Sequence, residues 1–227
     1  MRSKALYLAL AVLPDGSRDI LGLWIEQTEG ATFWMQVFSD RKARGCCDIL
    51  IAVTDGLTGM SEALAAGFPE TTLQTCIVHL IRHSLDFANG KERTPRATAL
   101  RPLSGAPRAE AAGAALDAFE RGPWGQKFPT VVASWRRAWT HVIPVFAFPP
   151  EVRRVVSTTH ALESVHAQLR KIIKTRGHFP TDEAATTLIG LALRTITAKW
   201  ARGATHWRAA MNQFAILYEG GFTKPAV

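Results

Sequence analysis

The sequence predicts an α/β fold in which a small sheet forms early in the chain and helices dominate the remainder. Three observations predict it. Residues 5–13 and 18–26 are apolar and rich in strand-forming types, and they flank Pro14-Asp15-Gly16-Ser17, which is the pattern of a β-hairpin. Residues 48–54 (DILIAVT) form a short apolar run with a single leading acid, which suits a strand buried on both faces. Helical periodicity alternates with these segments, and the order strand, helix, strand, helix points to a sheet with crossover connections.

Along the chain, the hairpin is followed by residues 31–44, where Phe33, Trp34, Val37 and Phe38 recur at helical spacing and Gly45 supplies a stop. After the 48–54 strand, Asp55-Gly56 breaks the chain and residues 58–67 read as a helix. Residues 71–76 (TTLQTC) read as one more short strand. The character then changes. Residues 77–88 and 107–146 are helical in period, and the basic, proline-containing stretch from Lys91 to Pro107 separates them. Pro149-Pro150 breaks the chain again. Residues 160–175 form an amphipathic helix with Leu162, Val165, Leu169, Ile172 and Ile173 on one side, and Gly177 is placed to end it. Residues 181–201 and 205–218 complete the chain as helices. The chain therefore divides into three parts, 1–76, 77–150 and 151–227.

Composition sets the bounds of function. The 227 residues fit one large domain or two small ones, and 47% hydrophobic with 20% charged residues predicts a packed core. No apolar run reaches the roughly 18–20 residues of a membrane span. The start of the chain is superficially signal-like, but its apolar run leads into the Pro14-Asp15-Gly16 turn and a second apolar segment, so a hairpin reads better. Three cysteines, two of them adjacent, make no disulfide framework, and a reducing cytoplasm is the expected compartment. A net charge of +8 and a pI near 9.9 favour an anionic partner, nucleic acid above all, although charge alone is equally compatible with an uninvolved basic surface. No G-x-S-x-G nucleophile motif is present.

Two acids stand out by position. Asp55 follows the apolar strand and so projects from the end of a sheet where α/β folds hold ligands; an aspartate before glycine is also an ordinary turn residue. Glu163 lies in the first turn of the 160–175 helix, where an acid also complements the helix dipole. Its surroundings are unusual. Positions 163, 166, 170 and 174 share one face, carrying Glu163, His166, Arg170 and Lys174, and no acid occurs from Ser164 to Thr181 while Arg170, Lys171, Lys174 and Arg176 are basic. An isolated carboxylate beside a basic ridge suits a divalent cation next to bound phosphates; a solvated basic face is the plain alternative. Cys76, His79 and His83 fall at helix-compatible spacing. A zinc site would need a second ligand pair, which Cys46-Cys47 is poorly suited to supply, so a buried Cys76–His79 pair steadying the region of Asp55 is the preferred reading.

These segments together resemble the Mutator-type bacterial insertion-sequence transposases. The matching stretches are DILGLWIEQTEGATFW, ARGCCDILIAVTDGLTGMSEALAAGFPE, CIVHLIRHSL, SWRRAW, FPPEVRRVVSTTHALESVHAQLRK, and TRGHFPTDEAA through HWRAAMNQFAILYEG, in the family's order from about residue 4 to residue 220. The resemblance implies an RNase H-like mixed sheet with a mostly helical insertion between the second and third members of an Asp, Asp, Glu set. Asp55 matches the second Asp, Glu163 matches the Glu, and Cys76 and His79 match the family's Cys-x2-His signature. The implied chemistry is DNA cleavage and 3′-OH strand transfer at a Mg²⁺ (or Mn²⁺) site, with two cations about 3.5–4 Å apart. The implied partners are double-stranded DNA, both element ends and target, and further copies of the chain, in the nucleoid. Arg170, Lys171, Lys174 and Arg176 are expected to hold the DNA backbone without reading sequence.

The sequence also departs from the family's pattern. The first Asp belongs to a central strand preceding the hairpin, and none of Asp15, Asp19, Glu26, Glu29, Asp40 or Asp48 takes its place. The expectation is a sheet lacking that strand, two strand edges left without partners, and 227 residues that are inactive by themselves. Arg41 stands where the family usually has an apolar residue on the 31–44 helix. A reading from a different class is a non-catalytic DNA-binding or dimerisation remnant that modulates intact transposase.

Overall fold

The computed structural model describes residues 4–86, 88–157, 160–198, 200 and 207–218. These residues form a mixed α/β structure, mostly helical, with two small sheets among them. The ends of the predicted 181–201 and 205–218 helices that face each other lie partly outside the described residues.

Strands β1 (Ala5–Val12) and β2 (Arg18–Glu26) form the expected antiparallel hairpin. Its register shifts between Ala9 and Leu10, so that Ala9 faces Gly22 and Leu10 faces Ile20, the signature of a bulge at Leu21. The turn is held by Asp15, whose Oδ1 accepts from the Ser17 backbone N–H at 2.8 Å and the Ser17 hydroxyl at 2.6 Å. Gly16 sits at φ +81°, and a Cβ there would lie 2.2 Å from the Trp207 ring, so this position needs glycine twice over.

Helix α1 (Ala31–Ala43) packs Trp34, Val37 and Phe38 against Met60, Ala63 and Leu64 of α2 (Met60–Gly67). Between them run β3 (Ile51–Thr54) and, after α2, β4 (Thr72–Thr75), paired in parallel from Ile51–Thr72 to Thr54–Thr75. The connection through α2 is the expected crossover. The expectation that this strand is buried on both faces is corrected: β3 has only four residues, none buried, and Val53 is 37% exposed. An apolar run reports what a strand could cover, and here little covers it. Among the described residues β1 pairs only with β2 and β3 only with β4, so the two sheets are separate.

Helices α3 (Ile77–Asp86), α4 (Gly90–Ser104), α5 (Ala109–Arg121), α6 (Pro123–Lys127) and α7 (Pro129–Val142), with a 3-10 turn at Ile143–Ala147, share one core around Leu100, Leu103, Leu116 and Trp135. Helix α4 corrects the expected break at Lys91–Pro107. The Asn89 side chain caps it, accepting from the Glu92 N–H at 3.0 Å, and Pro95 and Pro102 lie inside it. Each proline removes a helical hydrogen bond, but the helix buries Leu100, Leu103 and the whole of Arg96, whose guanidinium lies 3.5 Å from the Phe128 ring centre. Tertiary burial outweighs local propensity.

After α8 (Pro150–Val156), helix α9 (His160–Arg176) buries Val165 and Leu169 against Ala185, Ile189 and Leu193 of α10 (Asp182–Thr197) and against one face of the hairpin. Gly177, at φ +82°, ends α9, and Thr181 caps α10 by accepting from the Ala184 N–H at 3.1 Å. Helix α11 (Trp207–Leu217) returns to α8, and Trp207 Nε1 donates to the Pro14 carbonyl at 2.9 Å, tying the last helix to the hairpin turn.

Arg41 is buried, as the apolar residue expected there would be. It donates to the Leu21 carbonyl at the bulge, pairs with Asp40, and stacks 5.6 Å from the Trp24 ring centre. The bulge carbonyl and the indole face give a cation a lodging that the helix pattern alone does not reveal.

Candidate active site around helix α3

Asp55 is exposed, one residue beyond β3. The chain after it turns sharply: Gly56 and Gly59 both have positive φ, and at Gly59 a Cβ would meet the Ala31 backbone at 2.1 Å. The loop is pinned from the other side by Glu29, which accepts from the Thr58 N–H and, at 3.3 Å, from the Tyr7 hydroxyl. Burial, then the charge of Glu29 and its hydrogen bond, then Glu26 and Asp55, hold the Tyr7 phenol above its ordinary range. Sequence reasoning places Glu29 only as a residue after the hairpin; its role as anchor of the Asp55 loop has no signal in spacing.

Helix α3 begins where β4 ends. The Cys76 N–H donates to the Thr54 carbonyl at 2.6 Å, which fixes the start of α3 beside the Asp55 turn. Burial pushes the Cys76 thiol pKa up. The backbone N–H groups of His79 and Val78 oppose that shift, and the charges of Asp55 and Glu163 add to it. The backbone N–H groups of His79 and Val78 face the Cys76 sulfur, and the His79 ring Nδ1 is buried with no hydrogen-bond partner among the described residues.

Glu163 reaches the same place from α9. Its Oε1 lies 2.5 Å from Arg82 Nη1 and its Oε2 2.9 Å from Arg82 Nη2, a forked pair between α9 and α3. Arg82 lies within the CIVHLIRHSL stretch, yet sequence reasoning passes over it because an arginine on a basic chain carries no signal of its own. His166, half-buried one turn after Glu163, has its pKa lowered by burial first and by Arg170 next; Asp55 opposes this and His79 adds to it. Asp55 thus follows the strand end that is bonded to the start of α3, while Glu163 of α9 pairs with Arg82 midway along it. Arg170, Lys171, Lys174 and Arg176 are all exposed along the remainder of α9. His83, the third member of the Cys/His spacing, lies at the far end of α3 and is exposed.

The donor chemistry at this place suits a hard divalent cation, since Asp55 and Glu163 offer carboxylate oxygens. The donor number does not suffice: among the described residues no group of three or more His, Cys, Asp or Glu side chains is gathered closely enough to hold a metal ion, and Glu163 is engaged by Arg82. The cysteines Cys46, Cys47 and Cys76 are free. Among the described residues no helix is long and apolar enough to cross a membrane.

Fold and site define an α/β protein in which Asp55 follows a strand end beside the start of α3 and Glu163 pairs with Arg82 on that helix, with an exposed basic face along α9. Comparison with known proteins makes this specific: the chain belongs to the Mutator family of transposases, whose family model matches residues 1–203. It is 55% identical over 218 residues to the transposase for insertion sequence element ISRM3 of Rhizobium meliloti (strain 1021), covering 96% of this chain and 54% of that protein. The same identity and coverage hold for a probable ISRM3-like transposase of Sinorhizobium fredii. A probable insertion-element transposase of Corynebacterium diphtheriae is 41% identical over 239 residues, covering 97% of this chain and 70% of that protein. The chain spans about half the length of the first two of these curated relatives.

Proposed function

We propose that this chain is the catalytic-core portion of an insertion-sequence transposase, with an RNase H-like arrangement in which residues 77–150 are a helical insertion between residues 1–76 and 151–227. Asp55 and Glu163 are two carboxylates of a DNA-cleaving and strand-joining site that takes Mg²⁺ or Mn²⁺. The observation that supports this reading is their convergence on α3: Asp55 follows the strand whose Thr54 carbonyl accepts from the Cys76 N–H at the helix start, and Glu163, far later in the chain, pairs with Arg82 on the same helix. With divalent cations bound, such a site gains activation of the attacking water or 3′-OH and stabilisation of the leaving oxygen.

The chain's own residues divide the remaining work. Glu29 and the two glycines hold the Asp55 loop. Cys76 and His79 support the start of α3, which sets Arg82 against Glu163. Arg170, Lys171, Lys174 and Arg176 hold phosphates of element-end and target DNA, in an assembly of several copies. Two carboxylates are fewer than a two-cation centre needs, so these 227 residues are proposed to bind DNA without cleaving it when alone. A DNA-binding or dimerisation role that modulates an intact transposase is the alternative; the exposed basic face of α9 favours it to the same degree.

A chimera tests the reading. The matching 218 residues of the Rhizobium meliloti ISRM3 transposase are replaced by this chain and Mn²⁺-dependent cleavage of an element-end duplex is measured. The chimera is expected to cleave, and Asp55→Asn or Glu163→Gln in it to lower cleavage at least about a hundredfold while leaving DNA binding intact, as for loss of a group that stabilises developing charge. Full cleavage by either variant would remove that residue from the site. Cleavage by the 227-residue chain alone would overturn its proposed inactivity.

A further inference from the structure

Helix α4 carries a charge pattern that the proposed function leaves unused. From Arg93 to Ala109 the chain holds four arginines and no acid, and Lys91 stands just before them. One face of the helix is buried, with Arg96, Leu100 and Leu103 wholly enclosed. Lys91, Thr94, Thr98 and Arg101 recur at steps of three, four and three, so they share the opposite face, and all four are exposed. The single acid of α4, Glu92, is engaged inside: it pairs with Lys127 and lies 3.8 Å from Arg96 Nη2. Lys127 of α6 and Arg136 of α7 are thus matched by acids, the latter by both Asp117 and Glu120. Among the described residues Lys91 and Arg101 form no ion pair. Helices α4 and α9 are fastened to the same helix: Glu163 of α9 pairs with Arg82 of α3, and Arg96 Nη1 of α4 donates to the Ser84 carbonyl of α3 at 2.9 Å.

We propose that the outer face of α4 is a second surface for the phosphodiester backbone of duplex DNA, distinct from the basic face of α9. The proposal rests on the reading of the chain as a DNA-acting core and adds a contact surface in its helical middle. Thr98 turns its hydroxyl back to the Thr94 carbonyl at 3.0 Å, which leaves Lys91, Thr94 and Arg101 as the donors of the face. Ten helical steps separate Lys91 from Arg101, about 15 Å along the axis. A duplex carries one charge about every 1.7 Å of its length, so cations at that separation reach different phosphates. An ammonium, a hydroxyl and a guanidinium so spaced hold backbone oxygens and read no base. No large apolar side chain of α4 is exposed, so the face lacks the apolar centre of a protein–protein contact.

Fluorescence anisotropy of the 227-residue chain with a labelled duplex of arbitrary sequence, repeated across salt concentrations, tests this without catalysis. The double variant Lys91→Gln/Arg101→Gln is expected to weaken binding about tenfold and to lower the slope of log affinity against log salt by about two, one for each lost phosphate contact. Arg18→Gln/Arg44→Gln removes the same charge from the hairpin and α1 and is expected to change both far less. Circular dichroism checks that each variant is folded, and Arg101→Gln alone carries the test if the double variant is not. Unchanged affinity and slope in Lys91→Gln/Arg101→Gln, while Arg170→Gln/Lys174→Gln still weakens binding, overturns this inference and leaves the DNA-acting reading standing. An equal loss in Arg18→Gln/Arg44→Gln overturns it as well, because net charge then explains both. Full DNA binding by a double variant that has lost binding to polyglutamate assigns the face to an acidic protein instead. No salt-sensitive DNA binding by the unaltered chain overturns the DNA-acting reading, and this surface with it.

Discussion

The helical middle and the strand half of this protein solve the same burial problem to different degrees. From Ile77 to Phe146, five helices and a 3-10 turn enclose a core in which Leu100, Leu103, Leu116, Trp135 and Val142 are fully buried. In β1, β2 and β3 no residue is buried, although ALYLALAV and IAVT are as apolar as any segment of the chain. The buried strand residues are in β4, and they are polar: Gln74 and Thr75. Helices satisfy their backbones internally and need only a covered stripe, so a bundle of them can close around itself. A strand leaves backbone groups open on any edge without a neighbour, and among the described residues each sheet has two strands. The difference teaches that the strand half is held by helices around it: the hairpin packs against α10, and β4, which pairs with the strand before Asp55, packs against α7 and the 3-10 turn.

That contrast can be broken most forcefully in the middle. Trp135 is wholly buried and its Nε1 donates to the Ser84 hydroxyl at 2.9 Å. Trp135→Ala is expected to cost about 3–5 kcal/mol in urea unfolding, through a large cavity and the lost hydrogen bond to Ser84; a loss below about 1 kcal/mol would show that the middle is not the stabilising core. The hairpin end comes next. Gly16→Ala places a side chain at positive φ and against Trp207, and is expected to cost about 1–3 kcal/mol and to shift tryptophan fluorescence as α11 leaves the turn.

Arg41→Met is expected to be neutral or up to about 1 kcal/mol more stable, because a buried cation returns little beyond its desolvation cost. A clear loss would mean that the Leu21 carbonyl at the bulge depends on it. Val53→Lys on the exposed face of β3 is expected to change stability by no more than about 0.5 kcal/mol while reducing aggregation, which turbidity on heating will show. The smallest effect concerns pH. The His166 pKa is depressed in the folded chain, chiefly by burial, so the unfolded chain takes up the proton more readily. The corresponding stability is present above the ordinary histidine range and lost as pH falls through and below it. His166→Asn is expected to flatten that part of the urea midpoint's pH profile; an unchanged profile would show that His166 titrates alike in both states.

Much of the molecule was legible in the chain. The Asp15 turn between two apolar runs, the Gly45 and Gly177 stops and the stripe of α9 each derive from local rules, because turns and helix ends depend on a few neighbouring residues. Asp55 and Glu163 were legible as candidates by position and by their settings. The parts that were not legible have one cause. Helix α4 forms through two prolines because burial of Leu100, Leu103 and Arg96 outweighs the lost hydrogen bonds, and burial is a property of partners distant in sequence.

The sequence by itself determined where most elements begin and end, the family to which the chain belongs, and which two acids to watch. Tertiary structure alone decided that Glu29 anchors the Asp55 loop, that Arg41 can be buried at a bulge, and that Arg82 holds Glu163. The reason is physical. Capping, turns and amphipathic stripes are read over about one to four residues along the chain. An ion pair between residues 82 and 163 exists only once two helices have packed, and no spacing rule reaches that far.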